Sequence, residues 1–304
     1  MSGRGQILVI RGGAIGDFIL TLPVFRALRN QFPGTRLEVL GYPHIASLAK
    51  IGGLVDASRA IEARALAGFF THGLELPSDL SEYFAQFDVI LSYLYDPDEL
   101  FQGNVLTCAS AQFLQGPHRP EETGPGHATA SLLQPLERLA IFDADPVPRL
   151  ELPEKGVRDA RCVAVHPGSG SEAKNWPEPK WHEFLNTLAD STDWQFLMVG
   201  GEAEGDRLVR LSAALPASRC KVARHLPLGD LARRLATCGL FIGHDSGISH
   251  LAAAVGTPCV LLWGPTAEGV WRPLGDHVRL IKHGDGLNGL PVNDVVRMAR
   301  APLP

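Results

Sequence analysis

Two side chains are best suited to reaction chemistry. Asp17 lies in the glycine-lined turn Gly12-Gly13-Ala14-Ile15-Gly16-Asp17, and Lys174 in the loop HPGSGSEAKNWP (166–177). In that loop Gly168 and Gly170 free the backbone, Ser169 and Ser171 offer hydroxyls, and Lys174 offers a mobile ammonium, a set suited to a diphosphate. It is not a Walker P-loop, whose GK(S/T) is absent. A third turn, Gly243-His244-Asp245-Ser246-Gly247, precedes a small-residue helix that also carries His250. Ser246 suits the N-cap there and Gly247 leaves the helix end open, where phosphate is attracted. Between these turns, Gly200-Gly201-Glu202-Ala203-Glu204 places carboxylates where a ribose diol could be held, Glu204 before Glu202. Taken singly, each feature also has a plain structural reading. Asp17 and Ser246 would cap helices, and His250 would be a satisfied interior histidine.

The elements that must position these turns alternate strand and helix. Gln6 to Arg11 read as a buried strand, followed by a helix from about Phe18 to Gln31 that Pro23 enters or kinks. Leu37 to Leu40 and Phe87 to Tyr93 give further strands, with helices near His44 to Ile51 and Ala128 to Ala140. Asp143 to Arg161 is rich in proline and is the best linker, so domains of 1–150 and 151–304 are expected, the final helix free to pack back on the first. Beyond it come strands at 162–166, 194–199, 240–242 and 259–263, and helices at 180–189, 206–215, 229–238 and 248–255. Strand, tight turn, helix, strand is the βαβ unit, whose turn lies at the carboxyl edge of a parallel sheet. The fold class is therefore α/β, two Rossmann-like domains with no sequence repeat between them. GGAIGD is not GxGxxG, and no acidic residue ends the second strand suitably for a dinucleotide ribose.

Composition narrows the class. A chain of 304 residues suits two cores, and 45% hydrophobic and 20% charged residues are ordinary for a globular enzyme. A net charge of −5 without a basic block argues against nucleic acid. Five scattered cysteines without CxxC spacing read as reduced, in a cytoplasmic compartment. No apolar stretch approaches a membrane span, so any contact with the inner membrane is expected to be peripheral. Asp96-Pro97-Asp98 imitates an acidic metal motif but reads as a turn, and no metal is expected.

IRGGAIGDFILTLPVFRALRNQFPGTRLEVLG, HPGSGSEAKNWPEPKW and GHDSGISHLAAAVGTPCVLLWGPT resemble, in order, three regions of glycosyltransferase family 9, the bacterial ADP-heptose:lipopolysaccharide heptosyltransferases. The resemblance implies a GT-B fold, two facing Rossmann-like domains with a cleft between them, donor site in the second and acceptor site mostly in the first. It implies an inverting transferase without cofactor or essential metal, taking a nucleotide-sugar donor such as ADP-heptose and a glycan or glycolipid acceptor such as the lipopolysaccharide core. By position, Asp17 matches the family's base and Lys174 the lysine that steadies donor phosphates. Glu204 matches the ribose carboxylate, and Asp245, Ser246, Gly247 and His250 match the D-(S/T)-G-x-x-H turn. Ser169 and Ser171 fall in the donor loop, with Arg11 and Gly16 on the acceptor side. Residues 1–150 carry 11 Lys/Arg against 16 Asp/Glu, an unusual balance for gripping a heavily phosphorylated lipid, and a less anionic acceptor fits better. Two other classes share this architecture: nucleotide-sugar 2-epimerases and non-catalytic glycan or nucleotide binders. An epimerase would consume donor without acceptor, and a pure binder has no use for both Asp17 and Lys174.

Overall fold

The computed structural model describes residues 5–62, 64–73, 76–122, 124, 126–154, 156–201 and 204–302. The chain divides into two units, Met1–Pro146 and Val147–Pro304, parting within the proline-rich segment.

The first unit contains β1 (Gln6–Arg11), α1 (Ile15–Leu20), α2 (Leu22–Gln31), β2 (Arg36–Gly41), α3 (Pro43–Ile51), β3 (Ala57–Ala60), α4 (Ser78–Phe84), β4 (Val89–Ser92), α5 (Leu100–Cys108), β5 (Gln112–Gln115) and α6 (Ala128–Leu133). Its strands pair in parallel in the order β3-β2-β1-β4-β5. Leu8, Val9 and Ile10 are fully buried, because the inner strands of a parallel sheet are covered on both faces. The expected helix from Phe18 begins earlier, at Ile15, and breaks at Thr21. Pro23 has no N–H to donate, so α2 restarts with it in the first turn, where that donor is not needed.

The second unit contains β6 (Asp159–Val165), α7 (Glu178–Ser191), β7 (Gln195–Gly200), α8 (Gly205–Ala213), β8 (Cys220–Arg224), α9 (Leu228–Ala236), β9 (Cys238–His244), α10 (Gly247–Ala254), β10 (Cys259–Leu262), α11 (Glu268–Trp271), β11 (Val278–Ile281), α12 (Gly286–Gly289) and α13 (Val292–Arg300). The order β11-β10-β9-β6-β7-β8, parallel throughout, repeats the first unit's winding with one strand more. In α13, Val292, Val295, Val296 and Ala299 join the core of the second unit. In each unit the strand order reverses next to the first strand, between β1 and β4 and between β6 and β9. Such a reversal opens a crevice at the strands' carboxyl ends.

At the second of these points the loop 166–177 is fixed by its far end. Trp176 is fully buried, edge-on to Trp181 and Phe184, and its indole N–H donates to the Leu290 carbonyl at 3.1 Å. A side chain of that size contributes about 4–6 kcal/mol on burial. Its backbone N–H donates to His244 Nε2 at 2.8 Å, so the ring carries its proton on Nδ1, which faces the Gly168 carbonyl at 3.4 Å. One imidazole at the end of β9 thus ties both limbs of the loop. Burial, with the nearby charge of His166, pushes the His244 pKa down to about 3, against the opposing pull of the Gly168 carbonyl. The folded state therefore keeps His244 neutral while the unfolded chain protonates it near its ordinary value of 6.5. The stabilisation is full above that value and is lost as pH falls from there towards about 3. His244→Phe should orphan two buried backbone groups and cost about 2–4 kcal/mol at neutral pH. Denaturant titrations at pH 5 and pH 8 should also show a smaller pH-dependent stability difference in the variant than in wild type. An unchanged midpoint would remove His244 from this role.

Candidate functional site

The turn after β1 is compact because Gly13 takes φ +94° and an added Cβ would come within 2.9 Å of Asp17 Oδ2. Asp17 is the third residue of α1 rather than its N-cap, and its Oδ2 accepts the Ala14 N–H at 3.0 Å. Arg11 lies beneath it, only 3% exposed, one guanidinium nitrogen 3.9 Å from Asp17 Oδ1 and 3.3 Å from the Asp17 carbonyl. A second guanidinium nitrogen donates to the His118 carbonyl at 3.1 Å. Burial lowers the Arg11 pKa and the charge of Asp17 opposes that; an arginine stays charged either way. Asp17 keeps 35% of its side chain exposed, so one carboxylate edge is open while the other is fixed. Gly16 sits in the first turn of α1, directly before Asp17.

In the second unit the loop after β6 and the turn after β9 meet. Lys174 Nζ is 2.7 Å from Asp245 Oδ2. Ser246 is the N-cap of α10, its Oγ accepting the Ser249 N–H, and Gly247 is the first helical residue. An ammonium beside a capped helix N-terminus is a site for phosphate oxygens. His250 is buried one turn into α10. Of the two loop serines, Ser171 is exposed, whereas Ser169 is buried and works inside the loop, 2.8 Å from the Ser171 carbonyl and 2.9 Å from Asn175 Oδ1. From the other side, one guanidinium nitrogen of Arg207 in α8 donates to both carboxylate oxygens of Glu172, two residues before Lys174.

Glu204 departs from expectation. It does not stand open for a ribose; it turns inward, 6% exposed, its Oε1 3.2 Å from His166 Nε2 and its Oε2 accepting the Gly201 N–H at 2.6 Å. The close approach is possible because Gly168 has no Cβ, which would otherwise collide with Glu204 Oε1. Burial alone would raise the Glu204 pKa; the His166 hydrogen bond and charge and the Gly201 N–H outweigh it and hold it at about 2. Glu202 lies outside the described residues. His166 is gripped on both nitrogens, since its Nδ1 faces Ser246 Oγ at 3.3 Å. The ionised Glu204 draws a proton to Nε2, which donates to its carboxylate and fixes the ring beside the Ser246 hydroxyl. The motif reading missed His166 and His244. A usable signal was their place at the carboxyl ends of the two strands that flank the reversal.

Asp96 is committed to structure: its two carboxylate oxygens accept the N–H groups of Phe101 and Gln102 at 3.0 and 2.9 Å, capping α5. That is the turn expected of Asp96-Pro97-Asp98. No helix among the described residues is long and apolar enough to cross a membrane.

Comparisons with known proteins agree with this geometry. The family profile described as Glycosyltransferase family 9 (heptosyltransferase) matches residues 149–287. A lipopolysaccharide heptosyltransferase 1 of Pseudomonas aeruginosa is 33% identical over 135 residues, 44% of this chain and 34% of that protein. The match thus spans about a third of that relative. Lipopolysaccharide heptosyltransferase 3 of Escherichia coli K12 is 24% identical over 295 residues, covering 86% of this chain and 83% of its own. Among solved structures, the E. coli heptosyltransferase WaaC with ADP superposes with a TM-score of 0.74 at 19% identity, over 96% of this chain and 98% of that one. The two parallel α/β units are those of the GT-B fold. The profile match thus lies within the second unit, and the heptosyltransferase 3 alignment runs through both units.

Proposed function

We propose that the protein is an inverting glycosyltransferase that moves a heptose from ADP-heptose to a bacterial surface glycan. The observation that carries this reading is the meeting of Lys174, Asp245 and the N-terminus of α10 at the strand reversal of the second unit. Relatives named as lipopolysaccharide heptosyltransferases and a solved neighbour holding ADP support the choice of donor and of lipopolysaccharide synthesis as the setting.

In this reading the diphosphate occupies the α10 N-terminus. As the bond from the sugar carbon to the β-phosphate oxygen lengthens, its electron pair stays on that oxygen, and Lys174 and the helix N–H groups stabilise the growing negative charge. In the free protein Lys174 is engaged by Asp245, so phosphate binding exchanges one anionic partner for another. His166, fixed by Glu204, orients the Ser246 hydroxyl at the same helix end. Inversion requires a base on the face opposite the leaving group, and Asp17, with its open carboxylate edge and Arg11 behind it, takes or orients the acceptor proton.

Lys174→Ala should leave the fold intact, because the side chain reaches outward from a loop. ADP affinity should fall by roughly tenfold to a hundredfold, the worth of a charge-assisted phosphate contact. Calorimetric titration of ADP into both proteins checks this, and equal affinities would count against the phosphate site. Asp17→Asn keeps the shape, but as an amide it cannot act as the base. We expect kcat to drop by about 10²–10⁴ while ADP affinity holds. If Asp17 served only to hold the start of α1, Asp17→Asn would turn over normally and Asp17→Ala would lower the melting temperature. Paired kcat and melting measurements on the two variants separate these outcomes.

A further inference from the structure

We propose that the pocket beside the Asp17 turn binds an uncharged pyranose ring, stacked on Tyr95. That this ring belongs to the acceptor rests on the glycosyl-transfer reading above. The cavity, of about 360 Å³, is lined by Arg11, Tyr42, Glu62, Tyr93, Tyr95 and His118, and its floor is the glycine pair at the end of β1. That volume lies within the range of about 300–1,000 Å³ that small-molecule sites occupy. It opens at the carboxyl ends of β1 and β4, the reversal point of the first sheet.

Two observations select the ligand class. The first is Tyr95. Although aromatic, it is 66% exposed, and it stands edge-on to His118 with ring centroids 4.7 Å apart. Its neighbour two residues earlier, Tyr93, is fully buried, with its hydroxyl hydrogen-bonded to the Leu132 carbonyl. Tyr95 thus adds nothing to the core, yet a neighbouring ring holds its orientation at the mouth of a cavity. A flat π-face of that kind matches the C–H face of a sugar ring, whose hydroxyl rim needs polar partners around it. The Tyr42 hydroxyl, Glu62 and His118 supply them.

The second observation is charge. Arg11 is the cation of the pocket's described lining, and it is buried and engaged by the Asp17 and His118 carbonyls. Glu62 adds an exposed negative charge. Nearby Arg119 pairs with Glu122. Asp17 offsets Arg11, so Glu62 leaves the pocket facing its ligand with a negative balance. A phosphate or carboxylate on the stacked ring would be repelled rather than gripped. The seated sugar is therefore a neutral one.

The test uses the full chain and named probes: the methyl glycosides of glucose, galactose and mannose, and the 6-phosphates of the same sugars. Saturation-transfer NMR should show a neutral glycoside binding through the C–H protons of one ring face. Tyr95→Ala should weaken it by about tenfold, and Tyr95→Phe, which keeps the ring, by less than about twofold. The 6-phosphates should bind no more tightly than their parents. The proposal is overturned if no glycoside binds, if Tyr95→Ala binds as wild type does, or if the phosphates bind more tightly. ADP affinity in the same samples reports separately on the donor site. Loss of ADP binding with sugar binding intact would fault the glycosyl-transfer reading and leave the pocket standing.

Discussion

A single neutral imidazole holds the loop 166–177 to the sheet. His244 accepts from the Trp176 N–H and faces the Gly168 carbonyl, so the seven residues between them, glycine and serine among them, are closed by one rigid ring. A loop rich in glycine and serine gives up much conformational entropy when it is ordered. Tying its two ends to a fully buried side chain limits what must be ordered again when a ligand arrives. The aromatic cluster of Trp176, Trp181 and Phe184 makes that tie permanent, since water cannot reach the ring to compete. Lys174 then lies on a short tether between Gly168 and Trp176, within reach of Asp245.

Charge is arranged on the same plan in three places. Lys174 faces Asp245, His166 faces Glu204, and Arg11 faces Asp17. The first pair is partly open and can exchange partners with an anion. The second is buried and serves to orient Ser246. In the third, the arginine is buried while the carboxylate keeps an open edge. Pairing lets each unit place charge at a sheet edge without leaving a buried ion uncompensated, which would cost several kcal/mol.

Much of this was legible in the sequence, for physical reasons. Inner parallel strands are buried on both faces, so β1 and β10 appear as unbroken apolar runs. Edge strands are half exposed and carry polar residues, as in ASRA of β3 and CKVAR of β8, and give no such run. Without them the sheet order could not be read, nor could the shared winding of the two units. At the site, Lys174, Asp245 and Ser246 announced themselves by lying in glycine-containing turns. The direction of Glu204 did not, because it depends on the missing Cβ of Gly168 in a different loop. The work of His244 was hidden for a similar reason: its partner Trp176 lies 68 residues away. Local spacing reports which turns are polar; only the folded chain reports which side chains those turns spend on holding themselves in place.

The central claim is that the α10 N-terminus with Lys174 recognises a diphosphate by itself, and a ladder of ligands isolates that claim. Adenosine, AMP and ADP are titrated calorimetrically into the intact protein in EDTA. If the second phosphate is held by the lysine and the helix end, ADP binds at least about tenfold more tightly than AMP with no divalent cation present. Equal affinities for ADP and AMP, or ADP binding that appears only when Mg²⁺ is restored, would contradict it.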